Sequence, residues 1–259
     1  MNSQKSFTNR VKVAVILAAI AAATFSTADL KVVYSSTNMG LGGGARQTTI
    51  YYKGSMTRVE TGPIVRIQDS KTHQRILINT KSKSYAIVGA AELAKGAAAM
   101  GEMMKVTLKP RIDATSEQKK VSGRVTKKYK GEIVSTMMSK KGAGGRIVTL
   151  HVETWATPSS GVSSGWTQVL GPLEDMLNMM GGQVGTAQLD RELGKVKGVP
   201  ITTKLSGTMK TSSAGGAVQN RSFTIVTEAQ SVSDVKLPDS LFKVPAGYKK
   251  VVPPKSGSK

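Results

Sequence analysis

The stretch Gln47-Thr-Thr-Ile-Tyr-Tyr-Lys53, Gly54-Ser55, Met56-Thr-Arg-Val-Glu-Thr61 decides the fold class. Both runs are rich in β-branched and aromatic residues and alternate apolar with polar side chains. That period of two is the signature of a half-buried strand. Gly54 between them supplies a sharp bend, since glycine adopts backbone conformations closed to other residues. Working outward, the same rhythm predicts strands over 30–35, 64–69, 74–80 and 84–88, and longer ones over 105–113, 120–129, 132–139, 146–157, 199–211 and 221–231. Gly123, Gly131 and Gly207 fall inside or between these runs, where glycine marks a bulge or a tight bend of a curved sheet. Many strands joined in order by short turns imply an antiparallel meander. No linker divides residues 29–248, so one domain is expected there, followed by a basic tail over 249–259 that reads as disordered.

Two segments break the strand rhythm. In residues 90–104, Leu93, Ala97, Met100 and Met104 share one helical face. In residues 166–180, Trp166, Val169, Leu170, Leu173, Met176, Leu177 and Met180 recur at helical spacing, with Pro172 marking either a kink or a late start. An amphipathic helix inserted between strands must bury its apolar stripe on the sheet.

The chain has 259 residues, a net charge of +21 and no cysteine. Absence of cysteine excludes disulfides, thiol nucleophiles, cysteine zinc sites and an acylated lipobox. Residues 1–28 read as a secretory signal peptide: Lys5, Arg10 and Lys12 precede an apolar run over 13–23, and Ser26-Thr-Ala28 supplies small residues before a cleavage ahead of Asp29. The run is shorter than the roughly 20 residues that cross a bilayer. A periplasmic or extracellular location is therefore expected.

The order of Arg58-Val-Glu60, Ile67-Gln-Asp69, Ile76-Leu-Ile-Asn79, Lys83-Ser-Tyr85, Lys120-Val-Ser-Gly-Arg-Val-Thr-Lys-Lys-Tyr129, Glu153-Thr-Trp155, Lys197-Gly-Val-Pro200 and Leu241-Phe-Lys-Val-Pro-Ala-Gly-Tyr248 resembles a family of exported bacterial envelope proteins whose fold is similar to that of the periplasmic lipoprotein carrier LolA. The resemblance runs over nearly all of residues 29–248 and lies in order and spacing, with no single diagnostic motif. It implies a mainly β protein with two helices: an unclosed, strongly curved antiparallel half-barrel, with helices covering the concave side and an apolar cavity between. Carriers of this kind hold acyl chains there.

Methionine is the most unusual feature. Met100-Gly-Glu-Met103-Met104 and Met176-Leu-Asn-Met179-Met180 share one spacing, and Met137-Met138 adds a pair. Unbranched, polarisable methionine repacks around a flexible apolar ligand, and it also fills ordinary core gaps. The candidate cavity set is Leu93, Met100, Met104, Val169, Leu173, Met176, Leu177 and Met180. Charge concentrates over 105–146, where a dozen basic residues face Asp113, Glu117 and Glu132. Lys120, Arg124, Lys128 and Lys130 are the candidate contacts to an anionic membrane surface, where each basic residue contributes about 1 kcal/mol. A solvated, aggregation-resistant strand surface has the same composition.

The two histidines, His73 in a loop and His151 on a strand, make no recognisable catalytic or metal pattern, and the acids have no paired spacing. No enzymatic activity, metal or cofactor is expected. Aromatic residues are 5% of the chain and do not interleave with the basic ones, which argues against nucleic acid. The expectation is a carrier or sensor holding a lipid, an acyl chain or a lipidated partner. The alternative is an envelope interaction protein using its basic sheet.

Overall fold

The computed structural model describes residues 29–39, 44–72, 74–89, 91, 95, 98, 101–140, 142, 144–158, 186–213 and 215–252. The predicted leader, the predicted helix over 166–180 and His73 lie outside the described residues.

Twelve strands form a single sheet. They are β1 (Leu30–Met39), β2 (Arg46–Lys53), β3 (Met56–Thr61), β4 (Ile64–Asp69), β5 (Arg75–Asn79), β6 (Ser84–Val88), β7 (Met104–Val121), β8 (Arg124–Ser139), β9 (Gly144–Thr157), β10 (Val199–Ser213), β11 (Val218–Asp234) and β12 (Lys249–Lys250). Their spatial order is β12-β6-β5-β4-β3-β2-β1-β11-β10-β9-β8-β7, so the sheet is unclosed, with β12 and β7 as its edges. Helix α1 (Thr186–Leu193) and a 3₁₀ turn (Asp239–Phe242) accompany the sheet. The stretch before β7 is helical at Ala91, Lys95, Ala98 and residues 101–103. Among the described residues no helix is long and apolar enough to cross a membrane.

Hairpins set the register. Gly54 and Gly62 take positive φ angles of 54° and 56° at the turns after β2 and β3. The β7–β8 hairpin turns at Ser122 and Gly123, both left-handed at φ 49° and 75°. That pair of conformations matches strand twist in a two-residue turn. A single strand over 120–129 was therefore the wrong division: Gly123 ends β7 instead of bending within it. Conversely, β8 runs unbroken through Gly131, because glycine there gives way to β7. A Cβ on it would lie 2.5 Å from the Arg111 carbonyl oxygen and 2.8 Å from Ile112 Cγ1.

Side-chain alternation sends the apolar residues to different faces in the two halves of the sheet. On β7 to β11, Ile112, Ile133, Leu150, Val152, Leu205, Phe223 and Ile225 share one face and are buried together with Leu189 and Leu193 of α1. The same face continues through Leu30, Val32 and Tyr34 of β1 to Ile50 and Tyr52 of β2 and Val59 of β3. Beyond β3 the cover switches sides. Val65, Ile67 and Ile78 align in register with Arg58 and Glu60, on the opposite face from Val59, and pack under Leu237 and Phe242. Arg58 fastens that cover by pairing with Glu60 at 2.6 Å and donating to the Leu241 carbonyl at 2.9 Å. Burial of each such large side chain contributes about 1.5–3 kcal/mol, so each half is held by its own layer.

The sheet curls towards the first of these faces. β8 and β11 are three strand steps apart, about 14 Å in a flat sheet. Yet Arg124 at the start of β8 donates to the Val232 carbonyl of β11 at 3.0 Å, and Val121 packs against the Leu30–Val32–Tyr52 cluster. Gly207 permits the curl: a Cβ there would stand 2.5 Å from the Thr149 carbonyl oxygen and 2.9 Å from Leu150 Cδ2.

These findings correct the expected architecture. The sheet is mixed, because β12 runs parallel to β6. Among the described residues, two helices covering the concave side are not found. Helix α1 packs against β7, and the 3₁₀ turn covers the opposite face of β4 and β5. The change of buried face at β3 is the physical reason: one half needs its cover on the other side. The C-terminal segment also stays ordered further than predicted, with Val251 donating to the Tyr85 carbonyl at 2.7 Å.

Candidate functional site

Burial on the inside of the curl falls off towards the end of the strands near β7's start. Ile112, Ile133, Leu150 and Leu205 are at most 2% exposed. Four residues further along β7, β8 and β10, Leu108, Met137 and Met209 are only partly buried against that core. Met104 and Val106 continue the same face of β7 and are also half-buried. Register explains the grouping: Val106 pairs with Met137, Met137 with Arg146, and Arg146 with Thr211. Three methionines from distant parts of the sequence thus meet on one margin of the apolar face.

Arg146 stands among them. It is half-buried, and its Nε is buried without a hydrogen-bond partner. Arg221 pairs with Met209 one strand further on, on the same face. Of the inner-face positions in these two rows, Val106, Leu108, Ser135, Met137, Val148, Met209, Thr211 and Gln219, none is acidic. The margin is therefore apolar, soft and positively charged.

The basic stretch is organised differently. In one outward-facing row across β7 to β10 the charges alternate in sign: Asp113, Lys130, Glu153 and Lys204. Lys128 has only 11% of its side chain exposed, and it bonds Glu117 at 3.1 Å and Glu153 at 3.4 Å. Its ammonium and that of Lys119 cover the Trp155 ring at 5.2 and 4.1 Å. Burial pulls the Lys128 pKa down, but the bonds to Glu117 and Glu153 outweigh it and hold the ammonium above its ordinary value. Lys130 reaches Glu117 at 3.7 Å, and Arg124 lies 3.9 Å from Asp234. Lys120 is exposed and pairs with Val125, on the face opposite Lys128 and Lys130. Three of the four candidate membrane contacts are thus engaged within the chain.

Of the candidate cavity residues, Met104 is on the margin described above, as the first residue of β7 and not on a helix. Leu93, Met100, Val169, Leu173, Met176, Leu177 and Met180 lie outside the described residues. Met209 and Arg146 escaped the sequence reading because each looks like one more polar-flanked strand residue. The signal available was Met137, whose cross-strand neighbours only the register reveals. Among the described residues no group of three His, Asp or Glu side chains is placed to hold a metal ion. His151 lies 3.6 Å from Glu132 on the outer surface.

No protein-family model matches the chain, and no curated protein matches its sequence. Among solved structures, PNGF-II aligns with 87% of this chain and 31% of its own, at 16% identity and a TM-score of 0.39. The chain thus spans about a third of that protein's length. A LolA superfamily protein from Nitrosomonas europaea aligns with 85% of this chain and 91% of its own, at 7% identity and a TM-score of 0.21. Likeness at this level transfers no function.

Proposed function

We propose that the protein binds an acyl-bearing amphiphile without chemical change, holding the apolar chain against the inside of the curl at its methionine margin. The observation that carries this reading is the half-buried set Met104, Val106, Leu108, Met137 and Met209, continuous with a fully buried core. A core that ended for packing reasons alone would give way to polar residues. Here it gives way to thioethers, which adapt to a ligand of variable shape. The outer face supports the membrane-docking alternative less well, since Lys128, Lys130 and Arg124 already engage acids of the chain.

Mass spectrometry of the purified protein tests the reading. Co-extracted lipid is expected from the wild type, and Met104→Asp is expected to lose it while melting as the wild type does. Failure to recover lipid, together with failure to bind any added acyl ligand, would overturn the proposal.

A further inference from the structure

We propose that Arg146 is the headgroup-binding residue of this margin: a single-chain amphiphile lies along Met104, Met137 and Met209 with its carboxylate or phosphate at the Arg146 guanidinium. The inference rests on the acyl-binding reading and adds to it the charge of the ligand.

Arginine keeps its proton at every physiological pH, so its donors must be satisfied by acceptors or by water. Two other half-buried arginines of the sheet find acceptors in the chain: Arg58 has Glu60 and the Leu241 carbonyl, and Arg124 has the Val232 carbonyl. Arg146 Nε is shut away from solvent and has none. A buried donor without a partner is costly, and the cost is removed by whatever brings an acceptor to it. The planar guanidinium matches the paired oxygens of a carboxylate or phosphate. Its cross-strand neighbours are Met137 and Thr211, which offer no charge, and Arg221 adds a second positive group two strands along the same face. An anion with an apolar tail satisfies both parts of the surface at once. A free anion satisfies only one.

Isothermal titration below the micellar concentration compares dodecanoate, dodecyl phosphate, neutral monododecanoyl glycerol and inorganic phosphate. The wild type should bind the two anionic amphiphiles about tenfold more tightly than the neutral one, the increment expected for one charge-assisted contact. Inorganic phosphate should give no measurable binding. Arg146→Gln should bring both anionic ligands down to the neutral affinity and leave that affinity unchanged, and Arg146→Lys should restore part of the preference. Equal affinity of the wild type for charged and neutral amphiphiles overturns the assignment, as does an Arg146→Gln variant that weakens all three alike. The comparison of headgroups on the wild type needs no variant to fold. Binding of inorganic phosphate as tight as that of dodecyl phosphate overturns the amphiphile. Absence of binding by all the acyl ligands overturns the parent reading as well.

Discussion

The Glu192 carboxylate of α1 accepts a hydrogen bond from the backbone N–H of Ile112 in β7, Oε2 to N, at 2.9 Å. β7 is an edge, and an edge strand presents backbone groups that would otherwise pair with another chain. Glu192 occupies one of them and, with Leu189 and Leu193, anchors the helix where the sheet stops.

Acid should loosen this anchor. A hydrogen bond from Lys195 at 2.6 Å, then the Ile112 N–H, hold the Glu192 carboxyl below its ordinary range. A carboxylate whose folded pKa is depressed contributes its stability fully above the unfolded value, about 4.3, and loses it as pH falls through the folded one. Urea unfolding should show Glu192→Ala less stable by about 1–3 kcal/mol at neutral pH. Glu192→Gln should flatten the acid limb below about pH 4.3. An unaltered acid limb in the Gln variant would refute the linkage.

Gly207→Ala should be strongly destabilising, since its Cβ would sit 2.5 Å from a backbone carbonyl oxygen and 3.0 Å from Phe223 Cζ. Overpacking of this kind costs about 1–3 kcal/mol. Gly101→Ala, in a helical stretch with open space around the added carbon, should be neutral or stabilising by about 1 kcal/mol. Thermal melts of the two variants settle the contrast, and a Gly207→Ala protein as stable as the wild type would contradict the tight curl.

Lys128→Glu should lower the melting temperature and shift Trp155 emission to the red, because the new carboxylate would face Glu117 and Glu153 and uncover the indole. Lys120→Glu, on an exposed side chain, should do neither. If the two reversals proved equally harmless, Lys128 would be a surface charge like any other.

The Tyr34 hydroxyl donates to the Pro200 carbonyl at 2.8 Å across the core. Tyr34→Phe should cost about 1–3 kcal/mol by leaving that buried oxygen bare. Burial raises the pKa of both Tyr34 and Tyr52 above the ordinary value. Stability from these groups is therefore complete below about pH 10 and declines as pH rises beyond it. In an alkaline spectrophotometric titration both should ionise only as the protein unfolds. Their ionisation in a protein still folded by circular dichroism would contradict this.

The strands of the first half were legible because alternation and turn glycines agree there. Predicted runs over 56–61, 64–69 and 84–88 match β3, β4 and β6 to the residue. β7 was read eight residues short at its C-terminal end, because Thr115-Ser-Glu-Gln-Lys-Lys120 lies on an edge and buries almost nothing, which erases the alternation. Pro110 in the middle of β7 suits an edge, since proline lacks the N–H that a central strand needs. α1 was missed, although Leu189, Leu193 and Val196 recur at helical spacing and enter one core. The methionine margin was legible only in part: Met104, Met137 and Met209 are brought together by register, which no local pattern specifies.

β1 pairs with β2 on one side and with β11 on the other, so Leu30 faces both Tyr52 and Asp234. During synthesis the first partner follows within seconds, while the second emerges only when the chain is nearly finished. The β2–β6 arm and the β7–β11 meander can each assemble from sequence neighbours, but the seam between them closes last. Closing it spans most of the chain, and such distant pairings are slow to form. Until then the growing protein offers two open strand margins to its surroundings, which makes the late arrival of β11 the step that ends its exposure to aggregation.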